Sequence, residues 1–186
     1  MNIVLIGYRG SGKSAAGRVL ADRLGWSFVD TDALIQERSG MTIRDIYADQ
    51  AEDGFRDRES EVVAEVGRLD RHVISTGGGT IIRPINAEAL KRNGRLVWLA
   101  ASAEVLWQRI SADAERSRTR PSTTNDSAEG LKQVRASLRE REPVYAGWAD
   151  HVVDTASLSP EAVADEVLRQ LGVSGLELNS VSSAAP

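Results

Sequence analysis

The chain of 186 residues contains no cysteine, which excludes disulfide bonds, thiolate metal sites and a cysteine nucleophile. It also lacks an excess of positive charge. Its formal net charge is −4 at pH 7, so we expect neither nucleic acid nor an anionic membrane as a partner. The apolar N-terminal stretch breaks at Gly7 and has no basic residues before it, so it is too short for a signal peptide or a membrane span. These absences favour a cytoplasmic protein.

The most informative feature that is present is a glycine-rich loop at residues 7–14, Gly-Tyr-Arg-Gly-Ser-Gly-Lys-Ser. It matches the phosphate-binding pattern G-x-x-x-x-G-K-[ST] without a mismatch. An apolar segment of strand length precedes it, and apolar residues at helical spacing follow it as far as Gly25. Glycines let backbone N–H groups face an anion, and a helix N-terminus adds partial positive charge. The loop predicts a nucleoside triphosphate site, in which Lys13 reaches the phosphates and Ser14 binds Mg²⁺.

Strand-like and helix-like segments alternate along the chain. The strand-like segments are residues 2–6, 27–29, 72–75, 96–99 and 151–153. This alternation predicts an α/β fold with a parallel sheet, helices on both faces and ligands at the carboxyl ends of the strands. Residues 113–127 are polar and predict an exposed mobile segment, and the Ser/Ala-rich residues 172–186 predict a disordered tail. We therefore expect a single folded domain over residues 1–171.

Two acidic residues, Asp30 and Asp32, follow the second strand-like segment. In an extended segment, residues two apart point to the same side. Phosphoryl transfer to an alcohol uses one carboxylate near the metal and another that orients or deprotonates the hydroxyl. The structural alternative is a helix N-cap with a solvated acid beside it. The phosphate-binding loop favours the functional interpretation.

Gly77, Gly78 and Gly79 follow the third strand-like segment. Three successive glycines lose more entropy on ordering than a turn requires, so they predict a backbone that a small acceptor approaches closely. The alternative is a flexible turn. No Asn-Lys-x-Asp motif is present in the sequence, which argues against a GTPase.

Arginines form a third group of candidate residues. Arg56 begins a helix-like segment, Arg120 lies in the polar segment, and Arg141 stands near the end of the next helix-like segment. A planar guanidinium pairs well with carboxylate or phosphate. An arginine on a mobile segment is suited to close over the phosphates and to stabilise transition-state charge.

In order and approximate spacing, these motifs resemble the shikimate kinase family. The matching motifs are the glycine-rich loop, Asp30-Thr31-Asp32, Phe55-Arg56 with Glu59, the triple glycine, Arg120-Pro121 and Arg141-x-x-x-Tyr145. The resemblance covers residues 2–171. It implies a P-loop fold like that of nucleoside monophosphate kinases, with a five-stranded parallel sheet in three α/β/α layers, a substrate-binding helical region and a lid. It also implies ATP-dependent phosphorylation of the shikimate 3-hydroxyl, giving shikimate 3-phosphate and ADP on the route to aromatic amino acids.

The resemblance also implies a role for each matching residue. The ATP-binding residues are Gly10, Ser11, Gly12, Lys13, Ser14, Ala15, Arg109 and Arg120. The shikimate-binding residues are Asp32, Arg56, Gly77, Gly78, Gly79 and Arg141. Mg²⁺ is held by Ser14 and, through water, by Asp30. The catalytic residues are Asp32 as the base, Lys13, and Arg120 in a lid at about residues 113–127, and we expect the enzyme to be a monomer.

The sequence departs from the family pattern after Arg120 and at Ala51. Ser122 and Thr123 follow the lid Arg120 where the family usually has two apolar residues, so lid closure or packing is expected to differ. Ala51 stands where the family usually has glycine, and we expect it to be tolerated if this backbone position needs no positive φ. Two alternatives remain open at this point: a related small-molecule kinase of the same fold, such as a gluconate kinase, and a nucleotide-binding module without turnover.

Overall fold

The computed structural model describes residues 1–117 and 127–173, and its centre is a parallel sheet. The strands are β1 (Asn2–Ile6), β2 (Ser27–Asp30), β3 (His72–Ser75), β4 (Gly94–Ala100) and β5 (His151–Asp154). They lie in the order β2-β3-β1-β4-β5, and all neighbours pair in parallel. Every residue of the central strand β1 is buried, as expected for a strand covered on both faces. The predicted five-stranded parallel sheet is confirmed.

Helices connect the strands and begin or end at residues with the expected local chemistry. They are α1 (Lys13–Leu24), α2 (Thr31–Ser39), α3 (Ile43–Val66), α4 (Pro84–Lys91), α5 (Ala103–Ser117), α6 (Ser127–Trp148) and α7 (Pro160–Gln170), with a single 3-10 turn at Thr80–Ile82. Gly25 ends α1 with a φ of 62°, a conformation that favours glycine. Ser159 caps α7 by accepting the N–H of Ala162, and Pro160 is the first residue of that helix.

The helices cover the sheet on both faces. On one face α1 and α7 bury Leu20 and Val167 against the sheet. On the other face α3, α4 and α6 bury Val63, Leu90 and Tyr145. These two cores confirm the α/β/α layers of the predicted fold. Within the part of the chain that the structure describes, no helix is both long and apolar enough to cross a membrane.

The predicted lid and tail lie mostly outside the described residues. Helix α5 continues to Ser117 and α6 begins at Ser127, so residues 113–117 of the predicted lid are helical. Residues 118–126, with Arg120 and the unusual Ser122 and Thr123, are not described. The same holds for residues 174–186 of the predicted tail. The lid, its arginine and the tail therefore stay predictions.

Helix α3 is interrupted at Ala51, whose backbone angles are φ 56° and ψ −170°. The expectation that alanine is tolerated here required a backbone without positive φ, and this condition is not met. Residues other than glycine rarely adopt such angles, at a cost of about 1–3 kcal/mol. The kink separates residues 43–50 from the part of α3 that carries Arg56, and the rings of Tyr47 and Phe55 stack across it with centroids 4.7 Å apart.

Replacing Ala51 by glycine is expected to raise the free energy of unfolding by about 1 kcal/mol, because glycine adopts a positive φ without strain. Ala48 is the matched control, since it is exposed in the same helix and has ordinary helical angles. There, Ala48→Gly is expected to lower the free energy of unfolding by about 1 kcal/mol. Urea denaturation of both variants measures the difference. A similar fall in the free energy of unfolding of both variants would show that the backbone of Ala51 is not strained.

Candidate active site

The glycine-rich loop joins β1 to α1 and turns through three left-handed positions. Gly7, Gly10 and Gly12 have φ values of 138°, 84° and 90°, which favour glycine. A Cβ atom on Gly7 would lie 2.5 Å from the carbonyl oxygen of Leu99 in β4. The predicted phosphate-binding residues occupy this turn and the first turn of α1: Gly10, Ser11, Gly12, Lys13, Ser14 and Ala15. The start of α1 therefore faces into the loop, as a phosphate site requires.

The Lys13 side chain lies inside this loop. Its Nζ donates hydrogen bonds of 2.9 Å to the carbonyl oxygens of Gly7 and Tyr8, and the residue is buried. Burial lowers the pKa of Lys13 to about 8, although Asp32 and Asp30 raise it. Because these carbonyl acceptors are neutral, they do not neutralise the positive charge of the ammonium, which remains available to pair with an anion.

The pKa of Lys13 predicts that ATP affinity falls at alkaline pH. The ammonium form, which binds phosphate, predominates below pH 8 and is lost as the pH rises through about 8. Above that pH, the dissociation constant of ATP is expected to rise by about tenfold per pH unit. Calorimetric titration with ATP between pH 7 and 9.5 at saturating Mg²⁺ measures this. A constant affinity over that range would contradict the role given to Lys13.

Ser14 and Asp30 meet at the carboxyl ends of the strands. Ser14 Oγ donates to Asp30 Oδ2 at 2.6 Å and lies 3.2 Å from Ser75 Oγ. Asp30 Oδ1 accepts the N–H groups of Asp32 and Ala33. The helix cap that was the structural alternative for Asp30 is thus present, and the same carboxylate also engages the phosphate-binding loop.

These oxygen atoms suit a magnesium ion that is shared with a phosphate group. Mg²⁺ is usually bound by one or two protein oxygens together with substrate phosphates and water, so the Ser14 and Asp30 pair fits it. Over residues 1–117 and 127–173, no group of three acidic or histidine side chains is arranged to hold a metal. Ser75 was not among the residues predicted from the sequence. The feature that could have indicated Ser75 is its position at the end of β3, where it pairs in register with Leu5 just before the loop.

Asp32 lies in the first turn of α2, and the expectation of an extended segment over residues 30–32 is wrong. The helix begins at Thr31 because Asp30 caps it. The Asp32 side chain lies against the triple glycine, since a Cβ on Gly77 would stand 2.6 Å from Asp32 Oδ1. Thr31 Oγ1 accepts the N–H of Gly77 at 3.1 Å. The start of α2 therefore places Asp32 beside Gly77 and within electrostatic range of Lys13.

Two arginines approach the triple glycine from different helices. A Cβ on Gly79 would lie 2.6 Å from a terminal nitrogen of Arg56 in α3. Arg141 of α6 donates to the carbonyl oxygen of Gly78 at 3.4 Å and lies over the Tyr8 ring, 5.3 Å from its centroid. The predicted cations therefore lie against Gly79 and Gly78 of the triple glycine, next to Gly77 where Asp32 lies.

Two buried residues hold this arrangement, and the sequence analysis gave neither a role. Glu59 is 1% exposed, and its carboxylate accepts from Arg56 at 2.9 Å and from Thr80 at 2.7 Å. The Tyr145 hydroxyl donates to the carbonyl oxygen of Gly78, and burial raises the pKa of Tyr145 to about 12. Both residues belonged to motifs quoted above, but their partners are distant in sequence.

Arg109 joins the loop to the segment after β5. Its guanidinium donates to the carbonyl oxygens of Thr155 at 2.6 Å and Ala156 at 3.2 Å, and to that of Gly10 at 3.5 Å. This places Arg109 beside Gly10 of the phosphate-binding loop. Its expected role in ATP binding stays a prediction.

Solved structures resemble this fold and differ in how much sequence they share with it. The chain superposes on a shikimate kinase from Acinetobacter baumannii, solved in complex with shikimate, with a TM-score of 0.80 and 33% identity, covering 91% of this chain and 92% of that one. A gluconokinase from Sinorhizobium meliloti matches with a TM-score of 0.57 and 19% identity, covering 98% of this chain and 97% of that one. The second likeness shows the fold alone.

Sequence comparison points to one family. A shikimate kinase of Symbiobacterium thermophilum is 44% identical over 171 residues, which cover 92% of this chain and 96% of that protein. The family model for shikimate kinase matches residues 9–172. These residues include Lys13 of the loop, the triple glycine and both arginines that converge on it. On this match and on the superposition over nearly the whole fold, the chain belongs to the shikimate kinase family.

Proposed function

We propose that this chain transfers the terminal phosphoryl group of ATP to the 3-hydroxyl of shikimate, giving shikimate 3-phosphate and ADP. The observation that carries this proposal is the convergence of Asp32, Arg56 and Arg141 on one triple glycine beside the phosphate-binding loop. An acceptor with a carboxylate and several hydroxyls needs cations at one end and a carboxylate at the other. The Acinetobacter baumannii relative was solved with shikimate bound, which supports the same acceptor here.

The donor half of the site binds the triphosphate. The backbone N–H groups of residues 10–15 surround the phosphates, and the Lys13 ammonium leaves its carbonyl acceptors to pair with them. Ser14 and, through water, Asp30 would hold Mg²⁺, which would neutralise charge on the phosphate oxygens. The guanidinium of Arg109 donates to the carbonyl oxygen of Gly10 in the loop and is assigned to the adenine side of the site. Arg120 lies outside the described residues, and its expected role is to bind the phosphates.

The acceptor half of the site holds shikimate and moves one proton. Arg56 and Arg141 bind the carboxylate, and the backbone of residues 77–79 contacts the ring. Asp32 orients the 3-hydroxyl and accepts its proton as the hydroxyl oxygen forms a bond to the γ-phosphorus. The bond between that phosphorus and the bridging oxygen breaks, and ADP leaves with the electron pair.

The described site residues lie close together within one domain, so a second subunit is not needed to bring them together. Asp32, Arg56, Gly78 and Arg141 come from different elements of one domain. We therefore infer a monomer that works in the cytoplasm, where ATP is available. Size-exclusion chromatography with light scattering at micromolar concentration tests the oligomeric state, and a mass of about 20 kDa is expected.

An acceptor panel tests the proposed reaction. Purified protein with Mg-ATP is incubated with shikimate, with gluconate or without acceptor, and ADP release is followed by a coupled assay. We expect acceptor-dependent release with shikimate alone. Release with gluconate but not with shikimate would favour the related kinase, and tight ATP binding without turnover would favour a nucleotide-binding module.

A further inference from the structure

Arg56 lies between two carboxylates of its own helix. Its NH1 donates to Glu59 at 2.9 Å, and its Nε and NH2 both approach one oxygen of Glu52, at 3.4 Å and 3.1 Å. The two partners differ in burial. The Glu59 side chain is 1% exposed, whereas that of Glu52 is 68% exposed.

The two contacts use different edges of the guanidinium. Arginine binds a carboxylate bidentately through two parallel N–H groups, on either the Nε/NH2 edge or the NH1/NH2 edge. On the NH1/NH2 edge, Glu59 accepts from NH1, and both terminal nitrogens lie against Gly79. Glu52 lies on the Nε/NH2 edge. The edge left for another carboxylate to bind bidentately is therefore the Nε/NH2 edge, where Glu52 lies.

Glu52 is also the partner that is easier to displace. Glu59 is fixed because its other oxygen accepts from the Thr80 hydroxyl at 2.7 Å in a buried position. Glu52 offers a single oxygen at long distance from an exposed side chain, and exposed pairs at this spacing are weak. Arg141, in contrast, forms no ion pair with the side-chain carboxylates of residues 1–113 or 128–173, which the structure describes.

We propose that Glu52 is a competing carboxylate that holds Arg56 until the carboxylate of the acceptor displaces it. This inference rests on the proposed function, in which Arg56 binds that carboxylate. Displacement requires an anion, because a neutral group does not compete with Glu52 for the guanidinium. Glu52 thus weakens the binding of anionic acceptors and leaves the binding of neutral acceptors, which do not displace it, unchanged.

The test is the variant Glu52→Gln, which keeps the size of the side chain and removes its charge. The KM for shikimate is expected to fall by about twofold to fivefold, the range for losing an exposed ion pair, while kcat stays unchanged. Glu65→Gln is the matched control, because Glu65 lies on the same helix and pairs with Arg38 in an exposed position. Its KM and kcat are expected to equal those of the parent protein.

A neutral analogue separates competition from a general change in the site. Shikimate methyl ester is used as a competitive inhibitor, and its Ki is expected to be the same with and without Glu52→Gln, because the ester does not displace Glu52. An unchanged or increased KM for shikimate in Glu52→Gln, or an equal fall in the Ki of the ester, would overturn the inference. If the parent protein does not phosphorylate shikimate, the proposed function fails instead.

Discussion

Lys13→Ala is expected to reduce kcat/KM for ADP formation with shikimate by on the order of 10³. The Lys13 ammonium lies inside the phosphate-binding loop. Its hydrogen bonds to the main chain go to the carbonyl oxygens of Gly7 and Tyr8. Its pKa of about 8, against an ordinary value of 10.5, means that the loop disfavours the cation by about 3 kcal/mol. A bound phosphate reverses this because it supplies the missing opposite charge.

The same energetics predict that Lys13→Ala leaves the fold intact. The variant loses three hydrogen bonds but also removes a desolvated charge, so the two effects oppose each other and the thermal midpoint is expected to change by only about 2–4 °C. Lys91→Ala is the control, since Lys91 Nζ also donates to a carbonyl, that of Trp148, at the surface. It should retain full activity. A Lys13→Ala protein with near-normal kcat/KM would remove the loop from the proposed reaction.

Asp32→Asn is expected to lower kcat by about 10²–10⁴, the contribution of a positioned general base. The amide keeps the shape of the side chain beside Gly77 but does not accept the hydroxyl proton. A second consequence follows from electrostatics. Asp32 raises the pKa of Lys13, so its loss should shift the alkaline fall in ATP affinity to lower pH.

Two measurements separate these consequences. Single-turnover kinetics report the loss in the chemical step, and ATP titrations across the pH range report the shift for Lys13. Asp45→Asn is the control, because Asp45 occupies the first turn of α3 and is exposed. An Asp32→Asn protein with more than half of the parent kcat would show that another group accepts the proton.

Local sequence signals were sufficient for the sheet and the phosphate-binding loop. The apolar runs at residues 2–6 and 72–75 predict β1 and β3 with the same bounds that the structure has. The loop pattern is equally local, because its glycines, lysine and serine are consecutive. Signals of this kind need no knowledge of distant contacts, since backbone preference and burial act on neighbouring residues.

The sequence was less informative where a local preference competes with tertiary context. An extended segment over residues 30–32 was expected, but Asp30 caps a helix and Asp32 joins its first turn. Ala51 was expected to be tolerated if its backbone needed no positive φ, but a positive φ is present there, together with the stacking of Tyr47 on Phe55 and the packing of α3. In both cases one residue type is compatible with two conformations, and long-range packing selects one of them.

By itself, the sequence determined the donor chemistry: a triphosphate loop after a buried strand, in an alternating α/β chain with motifs that resemble one kinase family. Only the tertiary structure decided which side chains surround the triple glycine. Arg56 and Arg141 are 85 positions apart, and they converge because α3 and α6 pack on the same face of the sheet. The structure also revealed that Arg56 is already shared by Glu52 and Glu59. Contacts between distant segments depend on how helices pack over strands, and that geometry is not encoded in the spacing of any single motif.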